Sequence, residues 1–387
     1  VNELPVGRRV AQWRVRRNMT QQQFADRLGK SKSWVDKVER GVRRLERVSN
    51  LREIAEALRI DLEVLLSERP GTPNPTAAGV EQVRAALARY HIEAPTRPPD
   101  VAELRARLGH AGQSYRHARY PELLALLPGL LDAARAARAT RPGRATDGLL
   151  VPVYGLIALV LVKVDQGEPA WLAADRGMAV ALATNDPWVA AVATVPLSQA
   201  LRSVGRRRSA METAVVAAHR IMRSRSGVDL PADPSLLGTL LLQAALAAAG
   251  QGDERGVQEL LDQAAQAAQE IGDGGFGLAA VEAARVVAEA ALGDGTAATA
   301  RHERLTAGGE WRWLPPEHRA AYLLDAARAY AQTGDMFRAG RALLDAERTA
   351  RGEVHDRPAV RDLVAVVARS AAAPAGLARL AAALHVT

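Results

Sequence analysis

Three Gly-Asp dipeptides, Gly252-Asp253, Gly293-Asp294 and Gly334-Asp335, follow one another at intervals of 41 residues. Each interrupts long stretches of alanine, leucine and valine at helical spacing. Each therefore reads as the turn between two helices, and the fixed interval means that one pair of helices recurs. Side chains repeat in register with the turns: Ala327, Ala339, Leu343 and Ala346 around Gly334 correspond to Ala245, Val257, Leu261 and Ala264 around Gly252. The Gly293 copy departs from the pattern, with Glu289 and His302 at positions otherwise apolar or aromatic. Weaker turns near Ala118, Gly167, Gly205 and Ala372 extend the series to about seven helical hairpins. The expected fold is all-α, a stack in which each hairpin buries its apolar face against its neighbours.

The repeats leave the first fifth of the chain unaccounted for, and that is where the charge sits. The 387 residues carry a net charge of +8, yet residues 1–70 hold 16 Lys and Arg against 10 Asp and Glu. Three of only four lysines, Lys30, Lys32 and Lys37, fall within eight residues. A basic cluster of this kind is the footprint of a module that replaces counterions on a phosphate backbone, although a solvated helix face has the same composition. The absence of cysteine removes disulfides, thiolate metal sites and thiol nucleophiles. The longest apolar stretch, Gly148 to Val162, falls short of the roughly 18–20 residues that span a bilayer, and Glu3, Arg8 and Arg9 charge the start. Neither leader nor membrane span is expected, and the cytoplasm, in association with the nucleoid, is the expected location.

Within residues 1–68 the pattern predicts five short helices. Val6, Val10 and Trp13 mark the first. Thr20 with Gln23 forms a capping box that opens the second, whose buried stripe is Phe24, Ala25 and Leu28. Gly29 closes it, Ser31 caps the third with Trp34, Val35 and Val38 inside, and Gly41 supplies a left-handed stop. Leu51, Ile54, Ala55 and Leu58 mark a fourth, and Leu62, Leu65 and Leu66 a fifth.

The run Thr20-Gln21-Gln22-Gln23-Phe24-Ala25-Asp26-Arg27-Leu28-Gly29 and its continuation Lys30-Ser31-Lys32-Ser33-Trp34-Val35-Asp36-Lys37-Val38-Glu39-Arg40-Gly41 resembles the Cro/repressor-type (Xre) helix-turn-helix family over about residues 6 to 67. One departure is Val42–Ser49, which is arginine-rich and lacks the proline that many members carry before their fourth helix. The resemblance implies a third helix docked in the major groove of a DNA operator, with Lys32, Ser33 and Lys37 toward base edges. Asp36 then either accepts from a cytosine amine or pairs with Lys32 or Arg40. Gln21, Arg40 and Arg43 or Arg44 take phosphate-anchoring places, and Lys30 and Ser31 in the turn complete the set. Trp34 either packs on sugar or a thymine methyl, or covers the second helix. The string Gly29-Lys30-Ser31 imitates the end of a phosphate-binding loop, but Phe24 stands where that loop needs glycine.

Residues 69–79, rich in Pro, Gly and Thr, read as a linker with a coil reach of about 18 Å. From 80 onward, a first helix over 80–93 precedes the repeats. The order Ala327, Tyr330, Gly334, Asp335, Ala339, Leu343, Ala346 resembles the tetratricopeptide motif, though 41 residues exceeds its norm of about 34 and overlaps HEAT-like lengths. An α-solenoid of this kind lines a concave groove with the first helix of every pair. The groove candidates for binding an effector are Tyr154, Leu161, Val195, Gln199, Arg202, Leu242, Leu246 and Arg328, with Ile157, Val192 and Val287 beside them. That set is mainly apolar and contains none of the chain's five asparagines. It favours a small apolar molecule or a partner helix over an extended peptide, and internal packing explains the same residues equally well.

The eight histidines are dispersed, no Gly-x-Ser-x-Gly elbow occurs, and the carboxylates are scattered over helix surfaces. No enzyme, metal or cofactor is expected. Regulators of actinobacterial type look like this overall, and 47 Arg against 4 Lys agrees with a GC-rich genome. The expected function is a sequence-specific transcription regulator whose repeat domain forms a homodimer and senses an effector. The rivals are a protein-interaction scaffold with weak DNA tethering and a regulator controlled by a protein partner.

Overall fold

The computed structural model describes residues 6–17, 19–43, 45, 48–58, 60, 75–90, 100–225, 234–271 and 277–386; among them the regular structure is helical, with no strand. They belong to two compact units, Val1–Asn74 and Pro75–Thr387. Unit 1 contains α1 (Val6–Arg16), α2 (Gln21–Leu28), α3 (Lys32–Glu39) and α4 (Val48–Leu58). Val10, Phe24, Ala25, Val35, Ile54 and Leu58 form its core. The fifth helix expected from Leu62, Leu65 and Leu66 lies outside the described residues.

Unit 2 opens with α5 (Pro75–Ala88), so residues 75–79 are helix where a linker was expected, and the helix expected over 80–93 stops at Ala88. Proline suits a helix's first turn because its missing N–H has no partner there. Gly79 lets α5 lie directly on the next helix layer: a Cβ at this position would come within 2.7 Å of Leu124 Cβ. Seven hairpins follow. They are α6 (Val101–Arg116) with α7 (Tyr120–Thr140), α8 (Arg144–Lys163) with α9 (Gly167–Ala183), α10 (Pro187–Ser203) with α11 (Arg207–Arg225), and α12 (Pro234–Ala249) with α13 (Glu254–Ile271). Next come α14 (Leu278–Ala291) with α15 (Gly295–Ala307) and α16 (Pro316–Gln332) with α17 (Met336–Thr349). The short α18 (Arg351–His355) leads to α19 (Pro358–Ala368) with α20 (Gly376–Ala383).

The Gly-Asp turns do two jobs with two residues. Gly252, Gly293 and Gly334 take φ of 78°, 92° and 82°, the left-handed place where a Cβ costs about 1–2 kcal/mol. The following aspartate closes the finished helix through its N–H, as Asp335 N does to Tyr330 O at 2.9 Å. Its carboxylate then caps the new helix: Asp335 Oδ1 accepts from Arg338 N at 2.9 Å and Asp294 Oδ1 from Ala297 N at 2.9 Å. Ala118 and Asp165 adopt the same left-handed conformation without glycine, so the turn expected at Gly167 centres on Asp165.

The first helices of the pairs, α6, α8, α10, α12, α14 and α16, touch in chain order, and α16 returns to α6. The stack therefore closes into a ring around its inner face. A buried polar cluster forms the closure. Glu353 is fully buried and accepts from the Tyr120 hydroxyl and from Arg357, while Lys163 Nζ sits 2.9 Å from Glu353 Oε1 and also pairs with Glu317. Thr76 Oγ1 donates to Asp356 Oδ1 at 2.7 Å, tying α5 to the end of α18. Gly352 passes so near Ala118 that a Cβ would lie 1.9 Å from its carbonyl oxygen. Burial alone would raise the Glu353 pKa, but Lys163 and Arg357 outweigh it and hold the carboxyl below its ordinary value.

By length and composition α8 alone among the described helices is apolar enough to cross a bilayer. Its apolar side chains Leu149, Leu150, Val153, Ile157, Val160 and Leu161 are buried in the core of unit 2.

The two departures in the Gly293 repeat are each given a partner. Glu289 Oε1 accepts from Arg301 Nε at 2.9 Å, and Arg301 Nη1 donates to Glu282 Oε2 at 2.8 Å. His302 fills the place of Leu261 and Leu343, with its Nδ1 2.6 Å from the Tyr322 hydroxyl. Burial pushes the Tyr322 hydroxyl well up, so it stays protonated and donates to a neutral imidazole. Burial also lowers the pKa of His302 and of His318 on α16. Both histidines are therefore neutral in the folded chain at a pH where the unfolded chain, with values near 6.5, already binds protons. Stability is expected to be flat above about pH 7 and to fall as the pH drops through 6.5. Melting curves from pH 7.5 to 5.5 check this, and His302→Leu should make the fall shallower while His318 keeps its share; an unchanged slope in that variant would contradict the assignment.

Candidate nucleic-acid interface and repeat interior

The turn between α2 and α3 is built by local hydrogen bonds. Thr20 Oγ1 accepts from Gln23 N at 3.2 Å and Thr20 N donates to Gln23 Oε1 at 2.9 Å, completing the capping box. Gly29 turns left-handed at φ 60°, and Lys30 N closes on Ala25 O at 3.0 Å. Ser31 Oγ caps α3 by accepting from Trp34 N at 3.1 Å. One face of α3 is thereby fixed inward through Val35 and Val38, both 1% exposed, and the opposite face carries Lys32, Ser33, Lys37 and Arg40 into solvent.

A buried carboxylate that the sequence reading did not single out locks the three helices together. Glu39 accepts from Arg14 Nε at 2.6 Å and Nη2 at 3.0 Å, and Arg14 Nη1 also reaches Met19 O at 2.6 Å. Gln21 Nε2 donates to the same Glu39 at 2.8 Å, which leaves the second N–H of its amide for a phosphate. The only trace of this network in the sequence is an acidic residue directly after the buried Val38.

Among the expected contact residues, Lys30, Ser31, Lys32, Ser33, Lys37, Arg40 and Arg43 are exposed. Asp36 pairs with Arg40, Oδ2 to Nη1 at 3.1 Å, one of the two partners its spacing allowed. Trp34 is partly buried against the unit 1 core, and the Arg43 guanidinium lies 5.9 Å from its ring centroid. The indole therefore covers the core and supports a cation at the rim. Arg44 lies outside the described residues. Lys32 and Lys37 form no ion pair among the described residues, so their ammonium groups keep full donor capacity.

Inside the repeat ring the expected effector residues separate into two groups. Tyr154, Leu161 and Leu242, with Ile157 beside them, are buried. Tyr154 packs between helices, its hydroxyl accepting from Arg135 Nε at 2.9 Å, so these residues line no groove. On α8 the partly exposed positions instead include Pro152, Leu156, Leu159 and Lys163. Val192, Val195, Gln199 and Arg202 do share one partly exposed face of α10, with Leu246 partly exposed on α12 and Val287 on α14. Arg202 Nη2 donates to Gln243 Oε1 at 2.8 Å, and its buried Nε has no partner. Burial lowers the Arg202 pKa to about 10, opposed by the charge of Asp325 on α16. Arg328 pairs with Asp325. The interior is thus more polar than the expected list. Among the described residues no group of three His, Cys, Asp or Glu side chains is placed to hold a metal ion.

Residues 10–65 match the family described as HTH_3: Helix-turn-helix. Unit 1 is a helix-turn-helix domain. No curated protein matches the chain. Similar solved structures include PlcR of Bacillus thuringiensis in complex with the peptide PapR7 and DNA, at 12% identity over 69% of this chain and 95% of that one, TM-score 0.32. Aspartyl phosphate phosphatase F of Bacillus subtilis matches at 12% identity over 90% and 94%, TM-score 0.46. A point mutant of PrgX matches at 11% identity over 85% and 95%, TM-score 0.36.

Proposed function

We propose that this chain is a sequence-specific transcription regulator: the helix-turn-helix binds operator DNA in the cytoplasm as part of a homodimer, and the repeat ring senses an effector. One observation carries the DNA reading. A helix held rigidly on its inner face presents Lys32, Ser33 and Lys37 outward, with both ammonium groups outside any ion pair among the described residues. Lysine ammonium groups donate to guanine O6 and N7, and one good base contact is worth about 1–3 kcal/mol of discrimination. Arg40, Arg43 and Gln21 have the chemistry to hold phosphates and set the register. Of the linker expected over 69–79, residues 75–79 belong to α5. The effector reading rests on the ring interior, where Arg202 keeps a buried, unpartnered N–H on the helix face that also carries Val195 and Gln199. An effector with an apolar body and one acceptor group, whether a small molecule or a peptide, suits that interior.

The test is competition binding at several salt concentrations. Lys32→Ala and Lys37→Ala are each expected to lose about five- to a hundredfold in preference for operator over random duplex, with little change in random-duplex affinity. Arg43→Ala should weaken both alike and reduce the salt slope by about one. Equal loss on operator and random duplex in the lysine variants would instead favour a scaffold that merely tethers to DNA.

A further inference from the structure

We infer that the polar end of the ring interior, at Arg202 on α10, binds a monoanion: the carboxylate of an effector whose apolar body lies along Val195, Val192 and Leu236. This rests on the effector reading above and gives the effector a charge and an orientation. Val192, Val195, Gln199 and Arg202 follow one another at intervals of three and four residues, so they share one face of α10 that is apolar at one end and cationic at the other. All four are partly exposed. Arg202 Nη2 donates to Gln243 Oε1 of α12 at 2.8 Å, which sets the two helices level at these residues. Seven residues earlier on each helix, Val195 and the partly exposed Leu236 are level in turn. Asp325 stands on α16, no neighbour of α10 in the stack, yet its charge acts on Arg202. Both side chains therefore face the same interior.

The charges at this end identify the ligand's head. Lys163 pairs with Glu317 and Glu353, Arg357 with Glu353, and Arg328 with Asp325. His318, which the same charges reach, is neutral because burial lowers its pKa. Four cations thus stand against three carboxylates, and Arg202 is the one without an ion pair among the described residues. Its Nε is buried without a partner, and Nη1 makes no hydrogen bond among the described residues. Burial lowers its pKa only to about 10, so the guanidinium is still charged at neutral pH. A guanidinium held this way has given up much of its hydration without a counter-charge, and an ionised oxygen on Nη1 restores both charge and hydrogen bond. One unbalanced charge selects a single carboxylate over a phosphate dianion, whose second charge would meet Asp325. Ten residues separate Arg202 from Val192, which gives the apolar body a wall of about 15 Å.

Calorimetric titration of the full chain with decanoate and with decanol, equal in length and different in charge, tests this. The wild type is expected to prefer decanoate by about tenfold or more, Arg202→Met to bind the two alike, and Arg202→Lys, which keeps the charge, to retain part of the preference. The preference is a ratio within one protein, so a general weakening of the fold does not imitate its loss. N-acetyl-trileucine, with the same charge on a peptide body, separates the two sources of such a carboxylate: tighter binding than decanoate, with the same loss in Arg202→Met, assigns it to a peptide end. Equal binding of decanoate and decanol by the wild type, a preference kept by Arg202→Met, or binding of neither acid would overturn the site. Operator titration with and without decanoate keeps the failures apart. A chain that binds decanoate through Arg202 at unaltered operator affinity retains the site and loses the effector reading, whereas loss of the site alone leaves the operator preference in place.

Discussion

Lys163→Met is expected to lower the stability of the repeat unit by about 3–5 kcal/mol, because it removes one partner from a buried charge cluster and keeps the others. Glu353 is fully buried, and the Lys163 side chain is only 10% exposed. With the ammonium gone, Glu353 retains Arg357 and Tyr120, and Glu317 loses its cation and keeps only the Tyr115 side chain. The damage has a definite place, since Lys163 ends α8 while Glu317 and Glu353 belong to the far end of the stack. The ring should open before the remaining hairpins melt. Urea denaturation at pH 7 measures the loss, and hydrogen exchange at α6 and α16 shows where it begins. A loss below about 1 kcal/mol would mean that the cluster behaves as a solvated surface pair. The effect should also depend on pH. The depressed Glu353 pKa contributes stability above its unfolded value near 4.3 and loses it as the pH falls through the lower folded value.

Gly7→Val should have the largest effect in unit 1. A Cβ at Gly7 would lie 1.9 Å from Val38 O and 2.9 Å from Val38 C, both backbone atoms of α3, so no side-chain rotation relieves the contact. The crossing of α1 and α3 must widen. Overpacking of this kind costs about 1–3 kcal/mol, and more where the obstacle is backbone. Since Val38 lies in the turn that carries Lys37 and Arg40, operator affinity should fall together with stability. Exchange of the α1 and α3 amides and operator titration of the same sample measure the two losses. Wild-type values for both would show that the helices do not meet so closely.

The local parts of this fold were legible because their causes are local. Thr20, Gln23, Gly29 and Ser31 act on N–H groups within three residues of themselves, and the Gly-Asp turns act on the helices they join. The outward face of α3 followed from its inward one. The rotation of α8 was not legible. The run from Gly148 to Val162 is apolar on every side, so no polar stripe indicates which face turns to the interior, and Tyr154 and Leu161 proved to be core. Ala118 and Asp165 occupy left-handed turns without the glycine that announces one. Pro75 carried the signal of a helix start, but the composition around it matched a tether. The ring closure and the Gly7 crossing depend on residues distant in the chain, which periodicity does not connect.

On the reading proposed above, the outer face of α3 reads base sequence. The most direct measurement is selection by the full chain from random duplexes long enough to hold two half-sites about 10 base pairs apart, at near-physiological salt. One enriched, two-fold symmetric motif is expected, with its guanine preference lost in the variant carrying both Lys32→Ala and Lys37→Ala. Recovery of duplexes without any common sequence, or of the same motif from that variant, would contradict it.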